Sequence, residues 1–198
     1  MAAAGVASAG PPNPLPEGKA RTEVRYLFAA VPWLTPADSL AGALGSRGYK
    51  ELTAGRQKDR RQFEGRLFER WTMVTALLDD RARLIRWEIA IPAPAEAGRD
   101  AYASQRPLYD DAITEMGTKY GPRRSSVDQF RFPYWKGDGR EVRALGEGLA
   151  TIRSEWSGRG GDRLWVALDE RVSLTLVYES PEWSAAEKER RRRKARDL

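Results

Sequence analysis

Residues 78–91 read LDDRARLIRWEIAI, a turn and a strand in one run. Asp79-Asp80-Arg81 sets turn-forming polar residues between two apolar segments. Beyond them Ile85, Trp87, Ile89 and Ile91 alternate with Arg86 and Glu88. A period of two sends successive side chains to opposite faces, so one face is buried and the other is wet. That is the pattern of an antiparallel strand in a sheet covered on one side. Pro92 and Pro94 stop the strand, because proline cannot donate to a ladder.

Residues 168–174 carry a similar signal. LDERVSL matches LDDRARL of 78–84 at an offset of 90. Along this later strand Val172, Leu174, Leu176 and Tyr178 face one side, and Ser173, Thr175 and Glu179 the other. Face alternation pairs Ile85 with Leu174 and Trp87 with Leu176, an offset of 89. The two offsets disagree. Two αβββ halves related by duplication and two independent hairpins with acidic turns both account for the pattern.

Working outward, 23–30 (EVRYLFAA) reads as a short strand, and 63–78 as a β-rich run bent near Glu69–Trp71. A further strand is expected near 127–135, then strands over 149–156, 164–168 and 172–179, with a turn at Gly158–Asp162. Thr35-Pro36-Ala37-Asp38 marks a helix start, with Thr35 as its cap. Ala37, Leu40, Ala41 and Leu44 follow at helical spacing, and Gly45 and Gly48 end the segment. A second helix is expected over 104–120, where Leu108, Tyr109, Ala112, Ile113, Met116 and Tyr120 share a face before Gly121-Pro122. Ser180-Pro181-Glu182 opens a C-terminal helix. The expected architecture is α+β: one antiparallel sheet of five to seven strands, two helices packed on one face, and the C-terminal helix. Residues 1–22 form a disordered signal-like remnant and Pro-rich spacer, 23–183 a single domain, and 184–198 a basic helical tail.

Composition bounds the chemistry. The 198 residues contain no histidine and no cysteine, which excludes Ser-His-Asp triads, Cys-His pairs, zinc fingers and thiol redox centres within the chain. Hydrophobic residues make up 41%, with seven Trp and seven Tyr, enough for a core without disulfides or metals. The net charge of +6 is concentrated in 187–196 (EKERRRRKAR), where seven basic residues meet two acidic ones. No run approaches the roughly 18 apolar residues of a membrane span. The N-terminal AAAGVASAG, with Ala7-x-Ala9 as a cleavage-site match, and the following PPNPLP suggest export to the periplasm or the medium.

Carboxylates are the remaining acid–base groups: Asp79-Asp80, Asp110-Asp111-Glu115 and Asp169-Glu170. Nothing in their spacing sets two of them across a groove, as glycoside hydrolysis would require. Turns and a helix flank account for all three clusters. Gly158-Arg159-Gly160-Gly161-Asp162 lacks the Lys-Ser/Thr of a phosphate loop. No catalytic, cofactor-binding or metal-binding residue is therefore assigned, and the chain is expected not to be an enzyme. Two surfaces remain. Arg86, Glu88, Trp165, Ser173 and Thr175, on the polar side of the sheet, form a candidate partner surface. Trp156 beside Trp165 would make a stacking platform there. Arg190, Arg191, Arg192, Arg193 and Lys194 form a candidate anion-binding run.

The segments VPWLTPADSL, FEGRLFERW, LYDDAITEMGTKYGP and LVYESPEW give the chain a resemblance to a loosely defined group of exported bacterial proteins of uncharacterised function. Lys119-Tyr120-Gly121-Pro122 and Val177-Tyr178 are the matching residues. In layout it is similar to the helix-plus-sheet units of β-lactamase inhibitor proteins and of outer-membrane assembly lipoproteins. That resemblance implies binding to a protein or an envelope component; the lipoproteins' anchoring cysteine has no counterpart here. The alternative function is polyanion or nucleic-acid binding through the basic tail.

Overall fold

A computed structural model describes residues 25–196, so the signal-like remnant and spacer lie outside the described residues. Eight strands follow within them: β1 (Lys50–Glu51), β2 (Arg60–Leu67), β3 (Arg70–Leu78), β4 (Leu84–Ile91), β5 (Ser125–Phe130), β6 (Ala150–Ser157), β7 (Arg163–Leu168) and β8 (Leu174–Glu179). They form one sheet in the order β1-β2-β3-β4-β8-β7-β6-β5, and every neighbouring pair is antiparallel. The α-helices are α1 (Ala37–Gly45), α2 (Ala101–Tyr120), α3 (Glu141–Gly146) and α4 (Pro181–Arg196).

The α+β class stands, but the expected sheet of five to seven strands with two helices and a C-terminal helix is too small. Each discrepancy has a local cause. The run 63–78 is a hairpin, with Leu67 opposite Arg70 and a two-residue turn at Phe68 and Glu69. Both turn residues have positive φ, 51° and 59°, as a primed hairpin turn requires. Asn-Gly normally announces such a turn, and Phe-Glu hides it. β1 has two residues, too few to alternate. β5 lies at the sheet edge with five of its six residues exposed, so no apolar period marks it. α3, six residues long, carries no capping signature. Conversely, the strand expected at 23–30 is absent among the described residues. Phe28–Ala30 is a 3-10 turn with Ala29 and Ala30 at positive φ, and Tyr26 and Phe28 are buried. Thr35 does not cap α1. Its hydroxyl donates to the Pro32 carbonyl at 2.7 Å, and Pro36 holds the cap position.

The sheet order is a palindrome. Each half is a helix followed by four strands, not three, and α3 is inserted between β5 and β6 of the second half. The acidic turns correspond in detail. One oxygen of Asp79 accepts the N–H groups of Arg81 and Arg83 at 2.9 Å each. Asp169 accepts those of Arg171 and Ser173 at 2.9 and 2.8 Å. Ala82 and Val172 take the matching left-handed positions, φ 54° and 60°. The register also reconciles the two offsets. Leu78 pairs with Leu84 and Leu77 with Arg86, so Ile85 is the extra residue of a β-bulge. In the second half Leu168 pairs with Leu174 and Ala167 with Thr175, without an insertion. The correspondence therefore runs at 90 up to Leu84 and at 89 from Arg86 onward.

α1 and α2 cover one face. Their buried side chains, Leu40 and Leu44 from α1 and Tyr109, Ala112 and Met116 from α2, join the inward residues of the strands in one core. Trp87 sits at its centre, against Phe28 at 5.6 Å and Phe63 at 6.4 Å between ring centroids. Two polar ties dock α2. Gln105 donates to the last carbonyl of β4, Ile91, at 3.1 Å, and the Tyr109 hydroxyl meets the Ser154 hydroxyl at 2.9 Å.

Asp79→Ala should cost about 1–3 kcal/mol, because it strands backbone donors of the turn, and Asp169→Ala a similar amount. The turns lie at opposite ends of β4 and β8, so the double variant should be additive in urea unfolding. Burial pushes the Asp79 carboxyl up, but hydrogen bonds from Arg83 and the turn N–H groups outweigh it and hold the pKa below its usual value. A depressed folded pKa gives stability that is present above the unfolded value of about 4 and lost as pH falls through the folded one. Asp79→Ala should accordingly flatten the acid limb of the melting curve between about pH 2 and 5. Gly65→Ala would drive a methyl into the Tyr49 ring and should cost about 1–3 kcal/mol in the same assay.

Candidate functional site

The sheet residues of the opposite parity form a second face that α1 and α2 leave open. The register sets Leu77, Arg86, Glu179 and Arg163 in one cross-strand row. The next row holds Thr75, Glu88, Val177, Trp165 and Glu155. A third holds Met73, Ala90, Thr175, Ala167 and Arg153. Charged and apolar side chains are thus mixed across the central strands.

A stack of rings and guanidinium groups organises this face. Arg86 lies between two indoles, 5.2 Å from the Trp165 centroid and 4.5 Å from that of Trp183. Arg153 covers Trp165 at 4.3 Å. The order is Trp183, Arg86, Trp165, Arg153, each cation held against a ring face. Arg86 also reaches Glu88 at 2.8 Å and Glu179 at 3.2 Å, and Arg153 reaches Glu155 at 3.5 Å. Burial raises the Glu179 pKa, and the attraction of Arg86, Arg163 and Arg153 only partly offsets it. Ile85, Val177 and Trp183 are buried but stand apart from the main core. The first turn of α4 meets the sheet here, pinned by a Ser180 N–H bond to the Ile85 carbonyl at 3.0 Å.

Of the residues expected on the partner surface, Arg86, Glu88 and Trp165 come together, and Thr175 lies one row away. Arg86 is 17% exposed and works as a strut between sheet and α4. Glu88 points outward at 42%, whereas Trp165 and Thr175 are half-buried. Ser173 sits elsewhere, buried in the Asp169 turn. The expected Trp156–Trp165 platform does not exist. Trp156 is on the core face, and its indole N–H donates to the Gly121 carbonyl at 3.0 Å. The basic run falls on α4; Arg192 is exposed, and the side chains of Arg190, Arg191, Arg193 and Lys194 lie outside the described residues. Sequence reasoning missed Arg153 and Trp183. The alternation of ATIRSEWS puts Arg153 opposite Trp156, which was signal enough, but no local pattern says which face a terminal helix crosses.

The acidic clusters have structural work. Asp79 and Asp169 hold their turns, and Asp110 pairs with Arg106 at 3.1 Å. Among the described residues no three acidic side chains converge as metal ligands would.

Arg86→Ala removes the guanidinium nearest Glu179 and the ring partner of Trp183. It should cost about 1–3 kcal/mol, because a buried carboxyl loses its first partner while Arg163 and Arg153 still attract it. A carboxyl whose folded pKa is raised favours the folded state at low pH and loses that advantage as pH climbs toward the folded value. Stability of Arg86→Ala should therefore fall from pH 5 to pH 8 more than that of the parent chain. Adding Glu179→Gln should recover part of the loss, as read by urea unfolding at both pH values.

No protein-family model matches the chain, and neither a curated protein nor a solved structure does.

Proposed function

We propose that the chain is a non-catalytic binding module that takes a protein or envelope component on the open sheet face, around Glu88, Trp165 and Thr175. The observation that carries this is the half-buried Trp165, clamped between Arg86 and Arg153 amid paired charges. Tryptophan and arginine dominate the energetic centres of protein interfaces. A ring already packed against two guanidinium groups has less entropy left to lose when a partner covers it. An exported setting is part of this proposal. Among the described residues no helix is long and apolar enough to cross a membrane.

The test is affinity capture from the native cell envelope with the parent chain and with Glu88→Ala/Trp165→Ala/Thr175→Ala. The triple variant should lose the captured partner at least tenfold and keep its circular dichroism spectrum. Unchanged capture would sink this assignment. Capture that collapses between 50 and 300 mM salt and requires Arg190–Lys194 would favour the polyanion alternative instead.

A further inference from the structure

The loop between β5 and α3 holds two large aromatic side chains out into solvent. Phe132 is 85% exposed and Trp135 57%, their centroids 6.5 Å apart. The loop is heavily braced. The Asp138 carboxylate accepts the N–H groups of Trp135 at 3.1 Å and Arg140 at 2.8 Å. The Arg140 guanidinium donates to the Pro133 carbonyl at 2.8 Å and lies over the rings of Tyr134 and Trp135. The Gly137 N–H donates to Glu141 at 2.7 Å. Tyr134, between the two exposed rings in sequence, is buried and donates to Glu147 at 2.8 Å. A framework of this kind fixes the rings outward.

Charge is sorted across the same segment. Residues 131–143 contain four basic and two acidic side chains. Both acids, Asp138 and Glu141, turn inward to bond the loop backbone and are nearly buried. All four bases, Arg131, Lys136, Arg140 and Arg143, are exposed. Three of them are ion-paired: Arg140 with Asp138 at 3.0 Å, and Lys136 and Arg143 with Asp128 and Glu147 at the base of the loop, each at 2.7 Å. The result is an apolar tip with a cationic rim.

We propose that this loop docks on an anionic lipid surface, with Phe132 and Trp135 entering the boundary between headgroups and acyl chains and the rim cations meeting lipid phosphates. A ring 85% exposed has almost nothing of its own protein around it, so its partner must supply the enclosure. A fluid interface closes around a projecting ring without a preformed pocket. Aromatic rings beside arginine and lysine are also the composition that settles at that depth. This surface lies beyond the β5 edge and stands whether or not the open sheet face binds a partner.

Vesicle co-sedimentation of the full chain tests it, with phosphatidylglycerol/phosphatidylcholine vesicles against phosphatidylcholine alone. The parent should prefer the anionic vesicles at least tenfold. To separate the loop from the tail, the variants are made on Arg190→Gln/Arg191→Gln/Arg192→Gln/Arg193→Gln, which should keep loop-dependent binding. There, Phe132→Ser/Trp135→Ser and Arg131→Gln/Lys136→Gln/Arg143→Gln should each weaken binding at least tenfold with unchanged melting temperature. Brominated lipid should quench emission that Trp135→Phe removes. The proposal is overturned if the parent ignores anionic vesicles or if both loop variants bind within twofold of their background. Loop-dependent capture of an acidic protein without vesicle binding would overturn it equally.

Discussion

The pairing of β4 with β8 makes one sheet out of two. Six residue pairs, from Arg86 opposite Glu179 to Ile91 opposite Leu174, join the halves edge to edge. On the helical side it sets Trp87 against Tyr178 and Ile89 against Leu176, which fuses what would be two small cores. On the other side it brings Arg86 to Glu179 and so founds the stack of rings and guanidinium groups. Separated, each half would expose a central strand with a full row of unpaired backbone groups, a template for aggregation. The true edges are milder, since β1 has two residues and β5 carries hydroxyl, amide and carboxylate side chains.

The Ile85 bulge sits beside this seam. A residue inserted into one strand of a pair switches every later side chain to the other face. Without it, Arg86 and Glu88 would point into the core and Trp87 into solvent. The bulge lets the first half keep the acidic turn it shares with the second while β4 still meets β8 in phase. It also leaves the Ile85 carbonyl to accept the Ser180 N–H at the start of α4. One extra residue thus serves both the fold and the anchoring of the C-terminal helix.

Legibility followed amphipathic period. β4, β6, β7 and β8, together with α1 and α2, were readable because each buries one face and its side chains alternate or recur accordingly. The misses occurred where that warrant fails. The Phe68-Glu69 turn uses left-handed backbone without glycine or asparagine, β5 is an edge with little to bury, and Tyr26 and Phe28 alternate in burial without a ladder partner. The open face was predicted as polar, but its central feature was not legible. Arg86, Arg153, Trp165 and Trp183 come from four elements, and only strand order and register bring them together.

Two aromatic groupings outside the core are built by different rules. Trp165 and Trp183 spend their ring faces on arginines of this chain, and those arginines are in turn paired with glutamates, although the Nε atoms of Arg86 and Arg153 are buried without a hydrogen-bond partner among the described residues. A partner there gains by covering an ordered surface. Phe132 and Trp135 have the opposite economy: the loop's hydrogen bonds constrain its backbone, and the apolar area of both rings stays in water. Contiguous exposed apolar area is unfavourable in a monomer and marks contact sites. Phe132 and Trp135 are the two most exposed large apolar side chains among the described residues, so the loop is where the described surface has apolar area left to cover.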